Sequence, residues 1–201
     1  MSEQYYTRSP SAPSKPVMCG MTFRGLEMRF MTDAGVFSKG DIDKGTVLLL
    51  DSLPDILSGR VLDLGCGWGA VGIAVNKKWP DTSVTMTDVN RRALELARDN
   101  AGRNGARVRC VESDGFAALS DEKFDVILMN PPIRAGKQVT ERLYREAAEH
   151  LEKGGALMLV IRRQQGAESC MRYLGTLFGT VEKAAKSGGY WVLHAEKPLQ
   201  T

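Results

Sequence analysis

One stretch constrains the fold of this chain more than any other: Arg60-Val-Leu-Asp-Leu-Gly-Cys-Gly-Trp-Gly-Ala70. The apolar run Val61 to Leu64 has strand character, Gly65, Gly67 and Gly69 follow it directly, and Val71-Gly-Ile-Ala-Val75 carries the pattern on as a helix. A strand, a glycine loop and a helix N-terminus in that order build a nucleotide pocket, because glycines turn the chain sharply and let a ligand approach the backbone with no Cβ in the way. The spacing Gly65-x-Gly67-x-x-Ala70 matches the permissive dinucleotide fingerprint, and from these residues alone a purely structural turn reads equally well.

The flanking sequence decides what kind of sheet the loop belongs to. Strands are expected over 60–64, 83–87, 107–111, 124–129 and 156–161, with helices over 69–78, 91–104 and 139–151. Near-continuous apolar strands alternating with helices mean an α/β fold, a parallel sheet covered on both faces. The last third changes character: a helix near 168–178 leads to short runs at 180–186 and 190–194, joined through Gly188-Gly189, which predicts an antiparallel hairpin at the sheet edge. Before the glycine loop, Leu26, Met28 and Phe30 alternate with Glu27 and Arg29, the pattern of a small hairpin over 17–31. A loop over 32–40 exposes Phe37 among small residues, and Asp41 or Asp43 caps the helix that follows. Residues 2–16, rich in Ser and Pro and containing Tyr5-Tyr6, read as an extended surface segment.

Composition excludes little. At 201 residues the length suits one domain, no apolar run approaches the ~20 residues of a membrane span, and the first 21 residues lack a signal-peptide core, so a cytoplasmic protein is expected. Cys19, Cys66, Cys110 and Cys170 are scattered with no Cys-x-x-Cys pair, which favours reduced thiols over a metal or disulfide framework. The net charge of +3 is uneven: residues 131–201 carry eleven basic and seven acidic side chains, a local excess of +4 that permits an anionic partner.

In a sheet of this kind ligands bind at the carboxyl ends of the strands, so the polar residues delivered there matter most. Four consecutive strands deliver one each: Asp63, Asp88, Asp114 and Asn130. Asp88 follows Gly65 by 23 positions, the interval at which a carboxylate accepts both ribose hydroxyls of an adenosine-containing cofactor. Asp63 argues against a pyrophosphate seated on the loop, since two anions ~4 Å apart cost several kcal/mol at low effective dielectric. A phosphate-free, cationic cofactor such as S-adenosylmethionine removes that conflict.

Asn130-Pro131-Pro132-Ile133 is the sharpest chemical signal. A conjugated exocyclic amine is a poor nucleophile until acceptors hold its N–H bonds and turn its lone pair toward an electrophile. The Asn130 side-chain oxygen and the Pro131 carbonyl suit that task, and Pro132 restricts the backbone so that the carbonyl direction is set in advance. The amine then needs no titrating general base. Asn-Pro is also an ordinary strand-ending turn, and it is the company of Asp63, Asp88 and Asp114 that favours catalysis.

Val61-Leu-Asp-Leu-Gly-Cys-Gly-Trp-Gly69, Thr87-Asp-Val-Asn90, Ser113-Asp-Gly115 and Asn130-Pro-Pro-Ile-Arg-Ala-Gly-Lys137 resemble the motifs of class I methyltransferases of the small methyltransferase domain group. Within it the chain is similar to bacterial 16S rRNA guanine-N2 methyltransferases, a resemblance that extends to Gly35-Val-Phe-Ser38, Asp43-x-Gly-Thr46 and Tyr5-Tyr6. The resemblance implies a Rossmann-like class I methyltransferase fold, a seven-stranded mostly parallel sheet with an antiparallel last strand and helices on both faces. It divides the chain into an N-terminal extension over 1–40, with the hairpin and a substrate-side loop, and a methyltransferase domain over 41–201. It implies S-adenosylmethionine against Gly65 and Gly67, its ribose on Asp88, its adenine beside Asp114, its methionine end near Asp63 and Phe37, and the target amine on Asn130, Pro131 and Pro132. The implied partner is RNA, either 16S rRNA or the small ribosomal subunit, with no metal.

Two departures stand out. Many amino-methyltransferases carry an aromatic where Ile133 stands, which stacks on the target base for ~1–3 kcal/mol; here Phe37 or Tyr6 is left to substitute. Some longer relatives carry a second, degenerate domain for which 201 residues leave no room, so RNA docking is expected to use other surfaces. Lys39, Lys44, Arg134, Lys137, Arg162 and Arg163 are the basic residues expected near the mouth, with Arg134 and Lys137 the candidates for RNA phosphates. The alternatives are the same chemistry on another RNA amine or a protein glutamine, a nicotinamide dehydrogenase, and a catalytically silent RNA-binding module.

Overall fold

The strand at the glycine loop lies inside a seven-stranded sheet, third from one edge, in the computed structural model, which describes residue 8 and residues 12–199. In chain order the elements are β1 (Val17–Phe23), β2 (Leu26–Thr32), α1 (Lys44–Asp51), β3 (Arg60–Leu64), α2 (Ala70–Lys78), β4 (Ser83–Asp88), α3 (Arg91–Asn104) and β5 (Val108–Glu112). They continue with β6 (Phe124–Met129), α4 (Lys137–Glu149), β7 (Leu151–Arg162), α5 (Ala167–Leu174), β8 (Phe178–Ser187) and β9 (Tyr190–Pro198). The sheet order is β5-β4-β3-β6-β7-β9-β8, parallel from β5 through β7, with β9 antiparallel to both of its neighbours. The expected Rossmann-like architecture with an antiparallel last strand is therefore present. The tight Gly188-Gly189 turn inserts β9 between β7 and β8.

The strand order reverses at β3: the chain proceeds outward to β4 and β5, then returns to the other side of β3 with β6. That switch point opens a crevice above the carboxyl ends of β3 and β6, into which the glycine loop projects.

Two apolar layers sandwich the sheet. One packs the β1–β2 hairpin, α1, α2 and α3 against it through residues such as Phe30, Leu49, Ile73, Leu94 and Ala97; the other packs α4 and α5 through Leu143, Tyr144, Ala147 and Leu174. Helix α2 is buried from Ala70 through Asn76, so it carries no polar stripe and its sequence looks like a continuation of the strand. The hairpin turns at Arg24-Gly25, and Gly20 lies within β1 opposite Arg29.

Buried Asn100 of α3 fixes the hairpin to the glycine loop. Its Oδ1 accepts the Met31 amide at 2.7 Å, and its Nδ2 donates to the carbonyls of Met31 and Trp68, both at 2.9 Å. A fully satisfied amide of this kind specifies one arrangement, because any slip leaves a buried polar group unpaired.

Several element ends differ from expectation. Asp43, not Asp41, caps α1, accepting the amides of Gly45 and Thr46. Helix α4 runs from Lys137 to Glu149, earlier than the apolar repeat suggests, because Gly136 at φ 102° starts it. Strand β7 begins at Leu151 through an exposed segment with little apolar signal, and α5 stops at Leu174, where Gly175 follows. All four cysteines are free. Among the described residues no helix is long and apolar enough to cross a membrane. Tyr5-Tyr6 lies outside the described residues.

Candidate active site

A cavity of about 340 Å³ occupies the crevice at the switch point. It is lined by Asp63, Gly65 and Gly67 from the end of β3, Asp88 from β4, Asp114 from the loop after β5 and Asn130, Pro131 and Pro132 from the loop after β6. Phe37 from the loop after β2 also lines it. The polar residues that the sequence assigns to four strand ends are thus brought together in one place.

The loop geometry follows from its glycines. Gly65 and Gly67 adopt φ 72° and 54°, values that favour glycine, and a Cβ built on either would meet no atom within 4 Å. Backbone here faces open cavity, a cradle that side chains would fill. Asp88 holds the loop in place: its Oδ2 accepts the Gly67 amide at 2.8 Å and its Oδ1 accepts the Asn90 amide at 2.8 Å. Burial pushes the Asp88 carboxyl above its ordinary range, and the amides of Asn90, Gly67 and Val89 pull it back. Capping of α3 falls to Asn90, whose Oδ1 accepts from the amide of Ala93.

Asp63 is buried behind the loop, with Oδ2 accepting the amide of Gly72 in α2 at 2.8 Å. Burial, and secondarily the charge of Asp88, push its carboxyl up to about 7 while the Gly72 amide opposes them. A buried carboxylate poised in this way is stabilised by a cation and repels a phosphate. Thr87 Oγ1, also buried and beside the cavity, has no hydrogen-bond partner among the described residues. A glycine cradle, a carboxylate that disfavours anions and an unpaired hydroxyl fit an adenosine-containing cation.

The far wall is the Asn130-Pro131-Pro132 turn. Pro132 has φ −76° and ψ 74°, and the Ile133 amide donates to the Pro131 carbonyl at 2.9 Å, which makes Pro132 the centre of an inverse γ-turn. The turn fixes the Pro131 carbonyl direction but occupies one of its lone pairs, leaving one for a ligand. Asn130 Nδ2 faces Asp43 Oδ2 at 3.5 Å and Thr46 Oγ1 at 3.4 Å, so the acceptor end of that amide, Oδ1, points away from them.

The substrate-side residues are placed less uniformly. Phe37 lines the cavity, and its carbonyl accepts Trp68 Nε1 at 2.9 Å. Ile133 and Lys137 line an adjoining pocket of about 200 Å³ between α4 and α5. Arg134 is exposed on a 3-10 turn, and Lys137 pairs with Glu141 at 3.4 Å. The Asp114 carboxylate pairs with Arg142 at 2.6 Å. Arg142 and Tyr190 carry no sequence signal: Arg142 sits half-buried on an ordinary amphipathic helix and lines the cavity, and Tyr190 acquires significance only from partners far along the chain.

A family model for the methyltransferase small domain matches residues 27–194. The chain belongs to that family. It is 41% identical to the uncharacterized protein YbxB of Bacillus subtilis, over 98% of this chain and all of that one. It is 37% identical to ribosomal RNA small subunit methyltransferase C of Pseudomonas entomophila, over 81% of this chain and 49% of that protein. The T. thermophilus 16S rRNA N2 methyltransferase RsmC, solved in complex with AdoMet and guanosine, superimposes with a TM-score of 0.83 at 29% identity. That match covers 94% of this chain and 52% of RsmC, so the chain spans about half the length of the small subunit methyltransferases it resembles. The fold is that of an S-adenosylmethionine-dependent methyltransferase, and the glycine-loop cavity has the character that this cofactor requires.

Proposed function

We propose that this chain transfers a methyl group from S-adenosylmethionine to the exocyclic N2 of a guanine in 16S rRNA. The observation that carries the reading is Asn130: it lines the cavity together with Pro131, and its nitrogen faces Asp43 and Thr46, which leaves its oxygen to accept from a ligand. When bound, the cofactor supplies a methyl group made electrophilic by its sulfonium.

The residues of the chain do the rest. Asp88 holds the Gly65-Gly67 loop and has lone pairs left for the ribose hydroxyls, while Asp63 favours the cationic methionine end. Asp114 and the backbone around it flank the adenine. Asn130 Oδ1 and the remaining lone pair of Pro131 accept the two N–H bonds of the target amine, turning its nitrogen lone pair toward the methyl group. Transfer to a lone pair held this way would leave the cofactor's sulfur as a neutral thioether, and the amine would shed its proton afterwards to water. Acceptors that take both N–H bonds require a base with its pairing edge free, so the guanine is unpaired or flipped when it enters.

The RNA reading is supported by the two relatives named for ribosomal RNA and by basic side chains in the segments that leave β6 and β7. Arg134 and Lys137 directly follow the catalytic turn, and Arg163 stands at the same sheet edge, suited to phosphates. Nucleoside mass spectrometry of small-subunit rRNA from cells with and without the gene tests this. Loss of N2-methylguanosine is the expected result; an unchanged rRNA profile would refute it and direct attention to another amine, a protein glutamine included.

A further inference from the structure

The Asn130 amide can serve a donor substrate in only one of its two orientations. With Oδ1 toward the cavity it accepts an N–H; turned by 180° about its last bond it presents two more donors to an amine, and nothing in the shape of the side chain prevents this. The chain therefore needs a device that fixes the orientation. A directional relay from three other elements supplies one.

Arg162, at the end of β7, donates from Nε to Tyr190 Oη at 2.7 Å and lies over the same ring, its guanidinium 4.8 Å from the ring centre. Arginine only donates, so the tyrosine oxygen must accept, and its own proton is directed onward to Asp43 Oδ1 at 3.0 Å. Asp43 only accepts while ionised. Its Oδ2 takes the Gly45 and Thr46 amides at 2.9 and 3.2 Å and faces Asn130 Nδ2. Thr46 Oγ1 stands beside the same nitrogen. Packing at Gly45 shows how closely the relay is built, since a Cβ there would lie 2.7 Å from both Asp43 Oδ2 and Tyr190 Cε1.

We infer that Arg162, Tyr190, Asp43 and Thr46 form a positioning relay that locks the Asn130 amide with its nitrogen held by Asp43 and Thr46 on the α1 side of the cavity and its oxygen toward the amine to be methylated. From Arg162 through Tyr190 to Asp43 each link has its polarity set by the one before it, from a residue that cannot accept to one that, ionised, cannot donate; Thr46 Oγ1, which can do either, adds a second acceptor for the same nitrogen. The inference rests on the proposed use of Asn130 as an acceptor for the reactive amine. None of the four residues need touch the reacting atoms.

Tyr190→Phe and Thr46→Val remove one link each without changing side-chain size or the backbone cap of α1. Each is expected to lower kcat roughly five- to thirtyfold, with the KM for S-adenosylmethionine and the melting temperature held near wild type. In an Asn130→Ala background the same substitutions should cost nothing further, because there is no amide left to orient. Wild-type kcat in both variants, or losses that persist undiminished in the Asn130→Ala background, would overturn the relay. A substrate-free readout separates this from the RNA reading: the side-chain NH2 signals of Asn130, assigned in 15N spectra by their loss in Asn130→Ala, should shift and exchange faster in Tyr190→Phe and Thr46→Val. Signals unchanged in both variants refute the relay even if the RNA target is right, and shifted signals uphold it even if the target is wrong.

Discussion

Asp88 accepts the amide of Gly67 across 2.8 Å, so the end of β4 holds the loop that leaves β3, although the two residues are 21 positions apart in sequence. One carboxylate thus shapes the cradle and lines the cavity beside it.

Asp88→Ala should weaken S-adenosylmethionine binding by at least roughly tenfold, since it removes a charged acceptor from two backbone amides as well as from the ribose. Asp88→Asn keeps one acceptor oxygen and should fall between. Isothermal titration of the two variants checks the order, and equal affinity in Asp88→Ala and wild type would remove Asp88 from the site.

Asp63, pushed up to about 7 by burial and by the neighbouring Asp88, gives binding a pH dependence. Below that value the carboxyl is neutral in the free protein, and a bound cation lowers its pKa, so binding there drives a proton off. Affinity for S-adenosylmethionine should rise from about pH 5.5 toward 7 and level off above it, with proton release visible in buffers of different ionisation enthalpy. Asp63→Asn should flatten the rising limb; a slope that survives in that variant belongs to another group.

Asn130→Ala should leave cofactor affinity within about twofold of wild type and lower turnover by roughly a hundredfold or more, the scale of losing a preorganised polar contact at the reacting atoms. Single-turnover transfer to small-subunit rRNA measures the loss. Near wild-type rates would mean that Asn130 closes a turn and does no more.

Gly72→Ala tests the packing behind the loop. A Cβ there would lie 2.5 Å from Met86 Sδ and 3.2 Å from Asp63 Oδ2, with Met86 buried. Overpacking of this kind costs about 1–3 kcal/mol, and calorimetry should show the melting temperature falling by roughly 2–4 °C for each kcal/mol. Because the clash displaces Asp63, cofactor affinity should drop with it.

Much of this architecture was legible because it is local. The β3 run, the three glycines and the alternation of apolar strands with helices each depend on neighbours a few residues away, and together they predict the sheet and the edge where Asp63, Asp88, Asp114 and Asn130 converge. Element ends were harder to read at Lys137 and Leu151, where a glycine conformation and strand pairing outweigh side-chain pattern. Asn100 carries no sequence signal at all; its three partners come from β2 and the glycine loop.

The sequence by itself pointed to the β3 loop as a cofactor cradle and to a cationic, phosphate-free occupant, since a strand, its glycines and a carboxylate are consecutive residues with fixed chemistry. Which way the Asn130 amide points was decided only by the tertiary structure. Tyr190 and Asp43 are 147 positions apart, and a hydrogen bond has a direction only when donor and acceptor are in place together.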